Sequence, residues 1–381
     1  MILERSYVMG DNYNPQKLKA GYSKFGHGKA KADAIRYAIQ QADLNNDIPY
    51  MIFFRQEFCH EAMWYADEID VYTILPELLS LIDRYPDAEP VPYQYNDIIE
   101  DVLYIYGSMV VNSSDYYQIP LEECEKLFDD YTERMVRAGH SASLPYRYRA
   151  SFYTETGHSA KAAEYFNIFK KCRIDPDACI GCLTNSEIHY YLFNNMKEQA
   201  DKLAAKIEDG TITCKDDENK YFSLLRLKIN YIEYYIMQGD YENAIECADV
   251  LKRKNMQKKE FNTPDFEMCA YVYRNPGRGM YLYRNHWHEW EKERDPYSKF
   301  ISLMCAACFF KGIKKQRDKD TVKIYADRSF PLYNESNSYN YKLDSLIEYY
   351  YNGAKEIADK FYNRNGTNKF IDELNMSFSN V

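Results

Sequence analysis

The sequence predicts an all-α fold, a solenoid of stacked helical hairpins, and three observations carry that prediction. Apolar residues recur with the period of a helix from Ala30 to about Lys360. Alternating β-branched runs hardly occur, and the 15 glycines and 13 prolines fall mostly between the periodic stretches. A turn signature, Gly or Asn followed five residues later by Ala, repeats at Gly157–Ala162, Asn195–Ala200 and Gly239–Ala244, with turns 38 and 44 residues apart.

Taken in order, residues 1–29 read as an irregular N-terminal segment. Gly21–Lys29 has the glycines of a phosphate loop, but its Lys does not directly follow the second Gly, no Ser or Thr comes after it and no apolar strand precedes it. It reads instead as an entry to a helix over Ala30–Ala42. Residues 30–362 form the predicted solenoid, with its best repeats over 145–255 and four to six hairpins in all. Ile98–Val111 with Leu121–Ala138 fits the hairpin pattern loosely, as does the region after Leu303–Phe310. Asn185–Phe193 and Met196–Glu208 pair as an antiparallel hairpin. The clearest helix is Leu224–Gln238, with Leu225, Ile229, Ile232 and Ile236 on one face. It stops at Gly239, because glycine tolerates the left-handed conformation that ends a helix. The next helix starts at Tyr241 and sets Ala244, Ala248 and Leu251 on one stripe, the small alanines letting two helix axes approach. Residues 363–381 read as a C-terminal tail that frays, apart from an apolar patch at Phe370–Leu374.

Composition narrows the function. Of 381 residues 46% are apolar and 16% aromatic, enough to supply a core throughout. A net charge of -10 argues against nucleic acid and anionic membrane as partners. The basic patches, Lys252, Arg253, Lys254, Lys258 and Lys259, then Lys311, Lys314, Lys315 and Arg317, read as solvated helix ends. No apolar run approaches the length of a membrane span, and Met1–Asn14 lacks the pattern of a signal peptide. The expected compartment is the cytoplasm, where the ten cysteines stay reduced.

Gln238–Gly239–Asp240–Tyr241–Glu242–Asn243–Ala244–Ile245 resembles the inter-helix turn of a tetratricopeptide repeat, and Thr156–Gly157–His158–Ser159–Ala160–Lys161–Ala162–Ala163 repeats it. More narrowly, Arg137–Ala138–Gly139–His140–Ser141, Asp177–Ala178–Cys179–Ile180–Gly181–Cys182 and Gly210–Thr211–Ile212–Thr213–Cys214 resemble a bacterial group of tetratricopeptide proteins with no established activity. The likeness runs from about Tyr131 to Lys220. It continues to Tyr297 through Glu267–Met268–Cys269–Ala270 and Arg278–Gly279. It implies a right-handed helical solenoid and brings no catalytic residues. Where the group has Gly in its turn, this chain has Asn194–Asn195.

Four cysteines are the candidate site. Cys179 and Cys182 have the two-residue spacing that lets both sulfurs reach one tetrahedral ion, and the hairpin after them returns Cys214 to their level. Cys172 is the expected fourth ligand of a structural zinc; reduced, packing cysteines are the alternative. An iron–sulfur cluster would need further cysteines close after Cys182, and there are none. Cys305–Ala306–Ala307–Cys308 lies in an apolar helix and reads as core. His286 and His288 project about 200° apart on a helix and cannot share a metal, so only a His286–Glu289 pair or an exposed polar face remains. His60–Glu61 and His140–Ser141 have no partners that sequence can place. The 39 tyrosines either line a peptide-binding groove or fill wide gaps between helices. The expected function is a non-enzymatic scaffold that binds a peptide or protein in a tyrosine-rich concave groove. The alternatives are a partner that neutralises a basic toxin, a regulatory partner, and a metal-dependent enzyme or sensor built on the cysteines.

Overall fold

A computed structural model describes residues 13–88, 95–176, 178–215, 222–255, 263–316, 320–337 and 339–381. Asp177, Lys258, Lys259 and Arg317 lie outside the described residues. The chain is all-α, with seventeen α-helices and one two-stranded ribbon among the described residues. It divides into two compact units at Val110, where a single 30–362 body was expected.

The first unit holds α1 (Pro15–Tyr22), α2 (Lys29–Leu44), α3 (Ile48–Tyr65), α4 (Val71–Arg84) and most of α5 (Tyr95–Asn112). The segment before residue 30 is therefore partly helical, because Asn14 caps α1 by accepting the Lys17 N–H and Pro15 suits the first helical position. Asp47 caps α3 in the same way. The α3 helix is apolar nearly all round and buries Phe53, Phe54 and Phe58. Its one buried arginine, Arg55, is neutralised by Asp43 at 2.8 Å and Glu77 at 3.1 Å.

The second unit holds α6 (Leu121–Arg137), α7 (Ser143–Glu155), α8 (Ser159–Phe169), α9 (Ile180–Phe193), α10 (Lys197–Glu208), α11 (Phe222–Gln238), α12 (Tyr241–Asn255), α13 (Pro264–Ala270), α14 (Pro276–Lys292) and α15 (Pro296–Gln316). The antiparallel ribbon β1 (Thr321–Lys323) and β2 (Asn340–Lys342) follows, with Val322 opposite Tyr341, and then α16 (Leu343–Asn365) and α17 (Lys369–Asn380). Three consecutive pairs, α7 with α8, α9 with α10 and α11 with α12, pack as hairpins, and α9 contacts both α7 and α11. The repeated turn signature has a common geometry. Gly157, Asn195 and Gly239 all have positive φ, and the residue after each donates its N–H over 2.8 Å to the carbonyl five residues back, Tyr153, Tyr191 or Tyr235. Ala162, Ala200 and Ala244, each in the second helix of its pair, are fully buried, and their small side chains suit a close approach of the paired helices.

Residues 363–381 do not fray. Gly366 ends α16 in the left-handed conformation, and α17 then buries Phe370 and Leu374, with Val381 beyond it. This helix is fastened to the hairpin turns. The Thr367 hydroxyl donates to the Thr156 carbonyl at 2.6 Å, and the Asn380 amide to the Met237 carbonyl at 2.8 Å. The approach needs glycine on the other side, since a Cβ on Gly157 or Gly239 would sit 2.8 Å from the Cβ of Lys369 or Asn380 respectively. Lys311 and Lys315, expected at a solvated helix end, donate to the Phe378 and Val381 carbonyls that end α17. Arg364 on α16 reaches the carbonyls of Ser113 at 3.1 Å and Ser114 at 2.7 Å.

Many tyrosines tie helices together. A buried ring places its hydroxyl on a carboxylate in Tyr153–Glu125 (2.6 Å), Tyr231–Asp201 (2.7 Å) and Tyr271–Asp249 (2.6 Å), and a half-buried one does so in Tyr297–Glu233 (3.2 Å) and Tyr349–Glu291 (3.1 Å). The phenol suits this use because it combines apolar area with one polar tip.

Candidate metal centre

The α9 helix begins at Cys179, which is extended (φ −78°, ψ 109°) and stands where Ser or Asp caps most helices. Its sulfur accepts the backbone N–H of Lys215 at 3.4 Å, and Cys182 stands in the first turn of the helix. Both cysteines of the pair thus stand at the start of one rigid helix.

Cys214 is brought in by the turn that ends α10. Gly210 has positive φ, the Asp209 carboxylate accepts the Thr211 N–H, and the Ile212 N–H returns to the Lys206 carbonyl at 2.7 Å. Gly181 admits the returning segment, since a Cβ there would sit 2.8 Å from the Thr213 carbonyl oxygen. The buried Asn185 amide ties α9 to α11, donating to the Gly181 carbonyl of its own helix at 3.1 Å and to the Ser223 carbonyl at 3.0 Å.

The three Sγ atoms lie within 4.8 Å of one another, with Cys179 and Cys214 separated by 3.3 Å. All three residues are half-buried. Burial opposes ionisation of Cys179, but the N–H groups of Lys215 and Cys182 and the two neighbouring thiols outweigh it and bring its pKa down to about 7. Burial, then the neighbouring sulfur of Cys179, pushes Cys182 up to about 12. Without a cation the cluster therefore holds its first negative charge readily and resists a second. A soft divalent ion would reverse that resistance, because thiolate ligands are deprotonated by the metal they bind.

Cys172 is not brought to this cluster. Its thiol donates to the Ile168 carbonyl at 3.3 Å in the turn that ends α8. The loop after it is held elsewhere, with the Asp175 carboxylate accepting the Ser141 N–H at 3.0 and 3.1 Å. That bond also gives His140–Ser141 a role, as the anchor of this loop. The described residues thus show three of the four expected ligands together.

The remaining motifs resolve into structure. Cys305 and Cys308 are fully buried in α15 and share thiol hydrogen bonds with Cys269. His286 does pair with Glu289, at 2.7 Å on the helix surface. The glycine-rich segment before α2 is occupied by a carboxylate: buried Glu61 accepts the Gly28 N–H at 2.6 Å, the His27 imidazole at 2.9 Å and the Lys31 ammonium at 2.8 Å. A phosphate would meet that negative charge, so the phosphate-loop reading fails on chemistry as well as on pattern.

Sequence reasoning missed two features. One is a buried set of charges beside α17, in which Glu155 pairs with His189 at 2.8 Å, Glu373 pairs with Lys369, and Glu233 stands near them. These residues come from four helices, and no local spacing connects them. The other is an open cleft of about 690 Å³ along α10, α11 and α12, lined by Lys197, Asp201, Lys228, Tyr231, Tyr235 and Arg253 among others. The Lys197 ammonium stands 5.8 Å from the ring centres of both Tyr231 and Tyr235.

No family profile matches the chain, and no curated protein or solved structure matches it. Among the described residues, no helix is long and apolar enough to cross a membrane.

Proposed function

We propose that this chain is a non-enzymatic scaffold of tetratricopeptide-like hairpins that takes up an extended peptide or protein segment in the cleft along α10–α12. The cleft carries the reading. It is open, offers the half-buried Tyr235 ring for flat apolar contact, and alternates cations with carboxylates that can meet a peptide's charges and amides. The face of α7, α9 and α11 that bears Glu155, His189 and Glu233 is covered by α17, which favours the cleft along α10–α12 as the surface a partner would use. A cytoplasmic, bacterial setting fits the reduced cysteines and the resemblance of the turns. Photocrosslinking from a benzoyl-phenylalanine placed at Tyr235 tests the reading in the native host. One dominant partner, lost when Lys197→Glu is added, supports it. An unchanged crosslinking pattern in that double variant refutes it.

A second reading, a metal-responsive module, is favoured by the half-buried thiol cluster. A purely structural site would be closed by four protein ligands, and among the described residues three converge.

A further inference from the structure

We infer that Cys179, Cys182 and Cys214 form a binding site for one zinc ion in which the protein supplies three thiolates and the fourth position takes an exchangeable donor from outside the cluster. The inference rests on the thiol geometry and is independent of the peptide cleft.

The distances suit the ion. Zinc with sulfur ligands at about 2.3 Å holds them about 3.8 Å apart, and the three sulfurs here are spread from 3.3 Å to within 4.8 Å. The 3.3 Å separation is far longer than the ~2.05 Å of a disulfide, so the thiols are free to ligate. Side-chain rotations of under ~1 Å would complete the three-ligand face.

The frame is built rather than incidental. Two ligands stand at the start of α9, and the third sits on a turn held by Asp209 and the Lys206 carbonyl. Gly181 lets the backbone at Thr213 pass close to the start of α9, which sets the spacing between them. The donor set is all sulfur, which selects zinc over magnesium or calcium. Three thiolates and one divalent ion leave a single negative charge, and it lies at the positive end of the α9 dipole.

Among the described residues no further Cys, His, Asp or Glu joins the three, and Cys172 is engaged with its own helix. The cluster is half-buried, so a water, a small thiol or an imidazole from a partner can reach the metal. The fully buried Cys269, Cys305 and Cys308 have no such access.

The test uses the full chain, reduced and purified without a histidine tag, with and without one equivalent of zinc. Iodoacetamide labelling is mapped residue by residue by mass spectrometry. Zinc is expected to slow labelling of Cys179, Cys182 and Cys214 by about tenfold or more and to leave Cys172 unchanged. Cobalt in place of zinc should give a tetrahedral thiolate spectrum that shifts when imidazole is added, and Cys172→Ser should retain it. Equal labelling with and without zinc would overturn the site. Protection of Cys172 along with the others, or a cobalt spectrum indifferent to imidazole, would overturn the open position. The labelling is read on the unmutated chain, so a variant that fails to fold does not confuse the outcome.

Discussion

Replacing Glu233 with glutamine should stabilise the second unit at pH 8 and have little effect below pH 5. Beside α17, three carboxylates, Glu155, Glu233 and Glu373, share a buried volume with two cations, His189 and Lys369. Glu155 takes His189 and Glu373 takes Lys369, which among the described residues leaves Glu233 with the Tyr297 hydroxyl at 3.2 Å. Burial, then the charge of Glu155, raises the Glu233 pKa from 4.5 to about 7. A displacement of that size corresponds to roughly 3 kcal/mol between the two protonation states. Between pH 4.5 and 7 the native state keeps a proton that the unfolded state has released, so stability falls as pH rises through that window and stays low above it. His189 acts in the same direction. Burial opposes its charge, but Glu155 outweighs burial and raises its pKa, so its contribution is complete at low pH and is lost as pH rises through the raised value. Glutamine at 233 keeps an acceptor for Tyr297 and carries no charge. Urea unfolding of both proteins from pH 4.5 to 8.5 should show a gap that grows from under ~1 kcal/mol at pH 5 to roughly 3 kcal/mol at pH 8. A gap independent of pH, or a variant less stable than the parent at pH 8, would refute the charge-imbalance argument.

Three other perturbations probe the packing. Ala244→Leu should cost about 1–3 kcal/mol, because the alanine is fully buried in the helix that packs on α11; an unchanged melting midpoint would mean that the repeat register is wrong. Gly157→Ala and Gly210→Ala carry similar backbone strain, of order 1 kcal/mol, since both glycines have φ near +80°. Only Gly157 would also force its Cβ against Lys369, so it should lose clearly more stability in denaturant titration, and equal losses would mean that α17 does not press on that turn. Truncation after Asn368 removes buried Phe370 and Leu374, each worth about 1.5–3 kcal/mol, and uncovers the Glu155–His189 pair. Against a typical domain stability of about 5–15 kcal/mol, the truncated second unit should lose cooperative unfolding, which calorimetry would register.

The local features were the legible ones. Each hairpin turn is written in a few consecutive residues, since a residue able to adopt positive φ must stand at the helix end and a small residue must follow where two axes cross. Gly157, Asn195 and Gly239 could therefore be read directly, and Asn195 proved as good a turn residue as glycine. The pairing of Cys179 and Cys182 with Cys214 was legible for a related reason, because a hairpin of known length returns the chain to a predictable level. Cys172 was misplaced because its position depends on the loop that Ser141 holds through Asp175, a contact 34 residues long in sequence. The fate of residues 363–381 was hidden more deeply. Their asparagines and glycine look like a tail, and what orders them is a surface assembled from hairpins more than a hundred residues earlier. Tyrosine was ambiguous for the same reason, since whether a ring faces a cleft or tethers a helix depends on where a distant carboxylate lies.

The seating of α17 across the hairpin turns also bears on how the chain is made. The hairpins consist of neighbouring segments and can close as they leave the ribosome. The Asn380 amide meets the Met237 carbonyl only after a further 143 residues, which takes about 7–30 s at ordinary translation rates of ~5–20 residues per second. Throughout that interval the Glu155–His189 pair, Glu233 and the apolar groups that receive Phe370 and Leu374 face solvent although the hairpins that bear them are already made. A nascent chain stalled before residue 369 is therefore the form in which this protein would be most exposed to chaperones and proteases, and the arrival of a twelve-residue helix ends that exposure.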